Sequence, residues 1–212
     1  MTTVVQVPPS LHDRTFEQVL DKVAPLPPDE KILLDARHTR WASPYGLTSL
    51  LTLAQARSER MGFAVPDLDD TCSYWARTAF FRHAEGLFDL VGSYPKRHSS
   101  GESSVLLEIT PIVRSDDVHD VVGKIQQKAQ QILTGELNLD PKATMPFTMI
   151  LSEVCQNIVE HAGTGGWVAV QTYKWVKRLG RRAVVIAVTD AGKGFRQSLE
   201  SAPGFLPGSR WG

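Results

Sequence analysis

The sequence has little cysteine and no excess of charge of either sign. Its 23 Lys and Arg residues balance 23 Asp and Glu residues, so no net field favours binding to nucleic acid or to an anionic membrane. The two cysteines, Cys72 and Cys155, lie in apolar, helix-like stretches, which favours buried thiols in a reducing compartment over a disulfide framework. No signal-peptide pattern occurs, and no apolar run approaches the ~18 residues that a membrane span needs. We therefore predict a cytoplasmic protein with neither nucleic-acid nor membrane partners.

The sequence also lacks the Gly-x-x-x-x-Gly-Lys-Ser/Thr pattern, which excludes a nucleotide enzyme of the P-loop class. A length of 212 residues suits one large domain or two small ones. Between Gly92 and Ser104 the chain is rich in small, polar and turn-forming residues, as is typical of a linker. We predict one domain at 1–92, a linker at 93–104 and a second domain at 105–212.

Short apolar strands alternate with helical segments in the first half, which predicts an α/β layer structure. Ser43 and Pro44 are typical of the start of a helix, because serine can cap the first turn and proline is tolerated there. The predicted strands are Val4–Val7, Lys31–Asp35 and Phe63–Val65, and the predicted helices are Thr15–Val23, Pro44–Arg60 and Asp69–Phe88.

The segment Leu-Leu-Asp-Ala-Arg-His-Thr-Arg-Trp-Ala-Ser-Pro-Tyr-Gly-Leu, from Leu33 to Leu47, resembles the strand–loop–helix signature of STAS domains. In that family Asp-Ser-Ser-Gly-Leu opens the helix, and the serine before the glycine is phosphorylated. This chain has Tyr45 at that serine and Ser43 at the aspartate, so the usual phosphoacceptor is missing. The resemblance, over about residues 1–90, implies a mixed sheet with helices that docks on a partner in cis or in trans rather than acting as a switch.

The second half begins with a predicted strand at Ser104–Ile109 and a long helix that runs from Asp116-Asp117 to Leu133. Another helix follows, and then Trp167–Trp175 and Arg182–Thr189 predict two antiparallel strands joined by a turn around Leu179-Gly180. This half therefore reads as an α/β sandwich, and the chain as a whole as α/β (α+β).

The helix around Leu151–Gly163 carries Glu153, Asn157 and His161 at intervals of four residues. Each interval turns the side chain only about 40° further round an α-helix, so the three groups should form one polar stripe. Cys155 is predicted to face away from that stripe and into the core. The residues predicted to bury the helix against a sheet are Ile150, Val154 and Ile158.

A second motif, Asp-x-Gly-x-Gly, ends the last predicted strand. The order of helix, polar triad, hairpin and this motif resembles the GHKL ATPase fold of histidine kinases, gyrase-type enzymes and anti-sigma-factor kinases. The triad matches the family's N box in the form that looks most like the anti-sigma-factor kinases, and the second motif matches its adenine-binding G1 box. The matching residues are Glu153, Asn157 and His161 in the N box, and Asp190, Gly192 and Gly194 in the G1 box.

The GHKL resemblance implies ATP and Mg²⁺ as cofactors. Asn157 would hold the metal that bridges the phosphates, and His161 would lie near the phosphates or the glycine loop. Asp190 would accept a hydrogen bond from the adenine amino group, while Gly192 and Gly194 would let the backbone approach the base. Glu153 would be the catalytic group that orients the attacking water or hydroxyl.

Plainer structural interpretations of these residues remain open. Asn157 can be an ordinary helix-surface amide, Asp190 can belong to a plain turn, and His161 can be favoured by the helix dipole alone. The sequence ends at Gly208–Gly212, before the second glycine box and the lid that the GHKL fold carries, so we expect either a piece of a longer protein or an incomplete phosphate site.

Two classes of function follow from these patterns. The first is an ATP-binding regulatory protein resembling anti-sigma-factor serine kinases, with ATPase or serine/threonine kinase activity undecided. The second is a non-catalytic interaction scaffold that keeps the fold without ATP turnover. A regulatory protein partner is expected in either class, and a homodimer is compatible with both.

Overall fold

A four-stranded parallel sheet organises the N-terminal half of the computed structural model, which describes residues 2–96, 106–113, 118–162, 164–175 and 181–192. The elements of this half are β1 (Thr3–Gln6), β2 (Ser10–Leu11), α1 (Asp13–Val23), β3 (Ile32–Asp35), β4 (Trp41–Ala42), α2 (Pro44–Gln55), β5 (Met61–Ala64), α3 (Asp69–Arg77), α4 (Phe80–Leu87) and β6 (Phe88–Val91). The sheet order is β1-β3-β5-β6, and β2 pairs separately with β4.

Consecutive strands of this sheet are neighbours and run the same way, so right-handed crossovers place the connecting helices on one face. Alternate strand residues such as Leu34, Phe63 and Phe88 point to that face and are fully buried. Val4 and Val91 are more than half exposed. The α/β class is confirmed, but the expectation of a mixed sheet is wrong for the described strands, because each β–α–β connection returns the chain parallel.

The predicted helix Asp69–Phe88 is in fact two helices followed by a strand. Ala79 has a left-handed backbone, with φ of 63°, and separates α3 from α4. The hydroxyl of Thr78 donates to the Trp75 carbonyl at 2.7 Å and helps to close α3. The break allows Phe80 to pack edge-on against Trp75 at a centroid distance of 4.9 Å, so aromatic burial outweighs local helix continuity. Strand β6, at Phe88–Val91, was not predicted.

The C-terminal half is an antiparallel sheet covered on one face by two helices. Its elements are β7 (Leu106–Ile112), α5 (Val118–Leu137), α6 (Pro141–Asn157), a π-helical turn (Ile158–Ala162), β8 (Gly166–Trp175) and β9 (Arg181–Asp190). The strand order is β7-β8-β9, and β8 pairs with β9 from Gly166 opposite Asp190 to Trp175 opposite Arg181. The antiparallel pair of strands is confirmed, whereas the predicted turn at 179–180 lies outside the described residues.

Helix α6 faces the sheet with a different side from the one predicted. Ile158 is buried as expected, but Ile150 is 63% exposed and Val154 is 40% exposed. The buried stripe follows helical spacing through Thr144, Thr148, Leu151, Cys155 and Ile158. Packing against α5 and β8 selects this stripe, because Leu151, Cys155 and Ile158 share a cluster with Ile125, Ala129 and Val168. The prediction that Cys155 is a core residue is confirmed.

Helix α2 lies between the two sheets, and the hydrophobic cluster around it includes residues of both halves. Its residues Leu47, Leu50 and Leu51 are fully buried, and their cluster also includes Ile109 of β7 and Trp167 of β8. The helix is shorter than the predicted Pro44–Arg60, since it ends at Gln55 with Ala56 as its C-cap. The domain limits stay a prediction, and most of the predicted linker, residues 97–104, lies outside the described part of the chain.

Candidate functional site

Helix α6 carries two of the predicted site residues on its solvent side. Asp140 caps the helix by accepting a hydrogen bond from the Lys142 backbone N–H at 2.8 Å, and Pro141 occupies the first turn. Glu153 is exposed and Asn157 is half-buried, on the side opposite the core stripe. Among the described residues, neither side chain has a hydrogen-bond partner, so both polar groups are available to a ligand.

The stripe of three polar residues does not continue as an ideal α-helix to its third member. Ile158–Ala162 is a π-helical turn, in which backbone hydrogen bonds span five residues instead of four. The prediction that His161 lies about 40° round the helix from Asn157 is therefore wrong, because a π-helical turn is wider than an α-helical turn. The backbone of His161 lies in that turn. Such π turns occur frequently at functional sites.

Asp190 is the last residue of β9, and its side chain organises the turn that follows. Asp190 Oδ1 accepts a hydrogen bond from the Gly192 backbone N–H at 2.9 Å, which is a local turn contact. The carboxylate is exposed, and Oδ2 has no partner within the described ranges. Turn and ligand roles are thus compatible, with one oxygen shaping the turn and the other left for recognition. Gly194 lies outside the described residues.

Gly166 is the point at which helix α6 and the end of β9 meet. A Cβ atom on Gly166 would lie 2.6 Å from the Thr189 carbonyl oxygen and 2.9 Å from Ile158 Cδ1, so only glycine fits between them. Ile158 follows Asn157 in the chain, and Thr189 precedes Asp190. The contact therefore brings the end of α6 next to the strand end at Asp190, although they are more than thirty residues apart in sequence.

The back of this site is formed by α2 from the N-terminal half. Thr52 Oγ1 donates to Thr189 Oγ1 at 2.8 Å. Gln55 accepts from Trp167 Nε1 at 2.9 Å and donates to the Gly165 carbonyl at 3.3 Å. Sequence reasoning missed these residues. The available signal was their polarity on a helix whose other residues are mostly apolar, which indicates a specific polar partner at the end of that helix.

The available donors fit a magnesium–nucleotide complex. Mg²⁺ prefers oxygen ligands and usually takes only one or two from the protein, keeping water and phosphate oxygens for the rest. The carboxamide of Asn157 offers one such oxygen, and Asp190 has an exposed carboxylate at the turn after β9. In the described part of the chain, no group of three His, Cys, Asp or Glu residues is arranged to hold a metal by protein ligands alone.

Two surface clefts of about 490 and 390 Å³ lie in the N-terminal half, and neither includes a predicted site residue. Both are lined by Arg37 and Asp67. Arg37 is already engaged there, because its guanidinium donates to both oxygens of the buried Asp35 at 2.9 and 2.7 Å. This ion pair holds the pKa of Asp35 well below its ordinary value, mainly through the hydrogen bonds from Arg37.

The segment that resembles the STAS phosphorylation site is part of the folded core. Ser43 is buried, and its Oγ accepts from the Gly46 N–H at 3.1 Å, which confirms the predicted N-cap. Tyr45 is half-buried and packs edge-on against Phe16 at a centroid distance of 6.2 Å. Both side chains therefore have structural roles at the start of α2.

Comparison of the chain with protein-family models, with curated proteins and with solved structures found no match. The STAS and GHKL resemblances consequently stay predictions. None of the helices in the described ranges combines the length and apolar character that a membrane crossing requires.

Proposed function

We propose that this chain binds an adenine nucleotide with Mg²⁺ between the end of α6 and the turn after β9. The observation that carries the proposal is the close contact around Gly166, which joins the helix of Glu153 and Asn157 to the strand end of Asp190. The end of the helix that bears the carboxamide of Asn157 and the carboxylate of Glu153 thereby packs beside the strand end of Asp190, and the GHKL resemblance implies that these two motifs form one site.

Each residue has a role that its chemistry suits. The free Oδ2 of Asp190 would accept a hydrogen bond from the adenine amino group, an interaction that a guanine carbonyl cannot replace. Gly192, with Gly194 by resemblance, would allow the backbone to approach the base. Asn157 would offer its oxygen to the metal, and Mg²⁺ would neutralise the phosphate charge. Glu153 would orient a water molecule or hydroxyl, and His161 would lie near the phosphates.

The biological role consistent with this site is that of an ATP-binding regulatory protein in the cytoplasm, similar to the anti-sigma-factor kinases and fused to a STAS-like half. The half-buried Tyr45 replaces the usual phosphoserine, which favours a constitutive regulatory arrangement over a phosphorylation switch. Binding is the proposed property, and hydrolysis or phosphoryl transfer is a separate outcome to be measured.

A second candidate function, an interaction scaffold without turnover, is favoured by the outer face of α6. Five of its large apolar side chains are more than a third exposed: Met145, Phe147, Met149, Ile150 and Val154. Several exposed large apolar side chains on one helix are a common feature of protein-interaction sites. Glu153 and Asn157 lie on the same side of the helix, so a protein partner there would compete with nucleotide.

Calorimetric titration of the purified chain with Mg-ATP, Mg-ADP and Mg-GTP tests the proposal. We expect saturable binding of the adenine nucleotides only. Asn157→Ala and Asp190→Asn should each weaken it about tenfold or more, equivalent to about 1.4 kcal/mol. Gln127→Ala, which removes an exposed amide from α5, is the matched control and should leave the affinity unchanged.

The outcomes separate the two candidates. Absence of nucleotide binding by the parent chain would contradict the proposal and leave the scaffold as the better account. Binding without release of ADP and without phosphoprotein, after incubation with Mg-ATP, would establish a nucleotide-binding protein that lacks turnover.

A further inference from the structure

Helix α2 belongs to the N-terminal half, yet its last turn makes polar contacts next to the proposed nucleotide site. Thr52 Oγ1 donates to Thr189 Oγ1 at 2.8 Å, and both side chains are partly buried. Thr189 is followed by Asp190, and side chains of adjacent strand residues point to opposite faces of a sheet. The hydrogen bond from Thr52 therefore holds the end of β9 from one face of the sheet, while the Asp190 side chain projects from the other face.

Gln55 makes the corresponding contacts on the neighbouring strand. Its Oε1 accepts from Trp167 Nε1 at 2.9 Å, and its Nε2 donates to the Gly165 carbonyl at 3.3 Å. These two residues flank Gly166, which pairs with Asp190 in the sheet and is packed against Ile158. Gln55 thus holds the start of β8, and Thr52 holds the end of β9.

Helix α2 is itself fixed firmly enough to act as a support. A Cβ on Gly46 would lie 2.7 Å from the Leu11 carbonyl oxygen, which shows how closely the start of the helix is packed. Leu50 and Leu51 are fully buried, and Ser43 caps the first turn. A displacement of α2 would therefore disturb one continuous core, so the position of its last turn follows the N-terminal half.

We propose that Thr52 and Gln55 are positioning residues for the nucleotide site, through which the N-terminal half sets its affinity. They act through the backbone of β8 and β9, which aims Asp190 and the Gly192 N–H, and they do not touch the ligand. The inference rests on the proposed function, since it concerns the same site. By thermodynamic linkage, nucleotide binding should also strengthen the contact between α2 and the second sheet.

The experiment is a calorimetric titration of Mg-ADP into the parent chain, Thr52→Val and Thr52→Ser. Valine matches threonine in shape but cannot donate to Thr189, so we expect affinity to fall about three- to tenfold, as for one lost hydrogen bond. Serine keeps the hydroxyl and should restore most of the affinity. Thr134→Val, which removes intrahelical hydrogen bonds to the Gln130 and Gln131 carbonyls in α5, is the matched control and should bind normally.

A double-mutant cycle distinguishes positioning from general loosening of the fold. If Thr52 acts through Asp190, Thr52→Val should cause little further loss of affinity in an Asp190→Asn background. An equal loss in both backgrounds would overturn the inference. Gln55→Ala should weaken binding in the same direction, and it replaces Thr52→Val in the cycle if that variant does not fold.

The two proposals fail in different ways. If the parent chain binds no adenine nucleotide, the proposed function is overturned and this inference falls with it. If the parent binds and Thr52→Val and Gln55→Ala bind equally well, only the positioning role is overturned.

Discussion

Helices α2 and α6 begin with similar residues but are packed in very different surroundings. Each has proline in its first turn and a short polar side chain, Ser43 or Asp140, that caps it. Helix α2 is covered by a sheet on either side, so Leu47, Leu50 and Leu51 are inaccessible to solvent. Helix α6 is covered on one side alone within the described structure, and Met149 and Ile150 are 60% and 63% exposed.

The difference shows that an apolar helix face is not by itself a core face. Both helices contain enough large apolar residues to be buried all round, but the fold supplies two layers to α2 and one to α6. The outer face of α6 is also the face that bears Asn157 and Glu153. The exposed surface there is consistent with binding of a ligand or a protein. The buried helix α2 is instead suited to holding the neighbouring strands in place.

The largest effect should come from truncating a leucine of α2. Leu50→Ala removes a fully buried side chain from between the sheets, and we expect it to lower the free energy of unfolding by about 2–5 kcal/mol. Ile150→Ala on the outer face of α6 should change it by less than about 0.5 kcal/mol. Urea unfolding of both variants measures the contrast. A cost for Ile150→Ala close to that of Leu50→Ala would mean that another surface covers α6 in solution.

A smaller change in stability should follow when a methyl group is added at a tightly packed glycine of α2 and at an open glycine of α5. Gly46→Ala places Cβ within 2.8 Å of Leu11 Cγ and closer still to its carbonyl oxygen, so we expect destabilisation by about 1–3 kcal/mol. Gly123→Ala lies in α5, where the new methyl has no described neighbour within 4 Å apart from the adjacent helix backbone, and should stabilise the helix by about 0.5–1 kcal/mol. Thermal unfolding of the two variants should therefore shift in opposite directions. Equal shifts would contradict the close packing at the start of α2.

The smallest effect concerns the pH dependence of stability at His83, where α4 meets strands β7 and β8; we call this contact the junction. His83 hydrogen-bonds the Ile109 carbonyl at 2.8 Å and its ring lies 5.0 Å from that of Trp167. Burial lowers the pKa of His83 below its ordinary value of 6.5, and nearby Arg82 contributes while Glu108 opposes. The unfolded chain therefore binds the proton more readily, so this contribution to stability is complete above pH 6.5 and declines as pH falls toward the lowered pKa.

We expect the urea midpoint of the parent to decrease more than that of His83→Gln between about pH 7.5 and about pH 5. Glutamine can still donate to the Ile109 carbonyl but has no titrating ring. The difference between the two proteins therefore reports the effect of His83 protonation on stability. Identical pH dependence in the two proteins would exclude His83 as a titrating group of this junction.

Local patterns predicted the types and order of most elements correctly. Strands at 32–35, 61–64 and 166–175, and the helices that begin at Pro44 and in α5, follow from apolar periodicity, proline placement and capping residues. These signals work because backbone geometry and the first hydrogen bonds of a helix depend on neighbours in sequence. The break at Ala79 could not be predicted, since it is favoured by aromatic packing against Phe63 from another strand.

The residues of the proposed site stay a prediction from sequence, whereas the contacts around them could be seen only in the fold. Glu153, Asn157, Asp190 and Gly192 were recognisable from two short motifs. The tight contact at Gly166 and the support from Thr52 involve residues far apart along the chain. No spacing rule reports such contacts, because they depend on how α2 and α6 pack against the same sheet.

The sequence by itself determined a balanced, α/β chain with buried cysteines, a capped α2 and two motifs typical of a nucleotide site. Only the tertiary structure decided that α2 is enclosed by two sheets, that Ile150 and Val154 face outward, and that the end of α6 becomes a π turn. The physical reason is that local preferences fix the conformation of a segment, whereas its buried face is selected by the free energy of packing against distant partners.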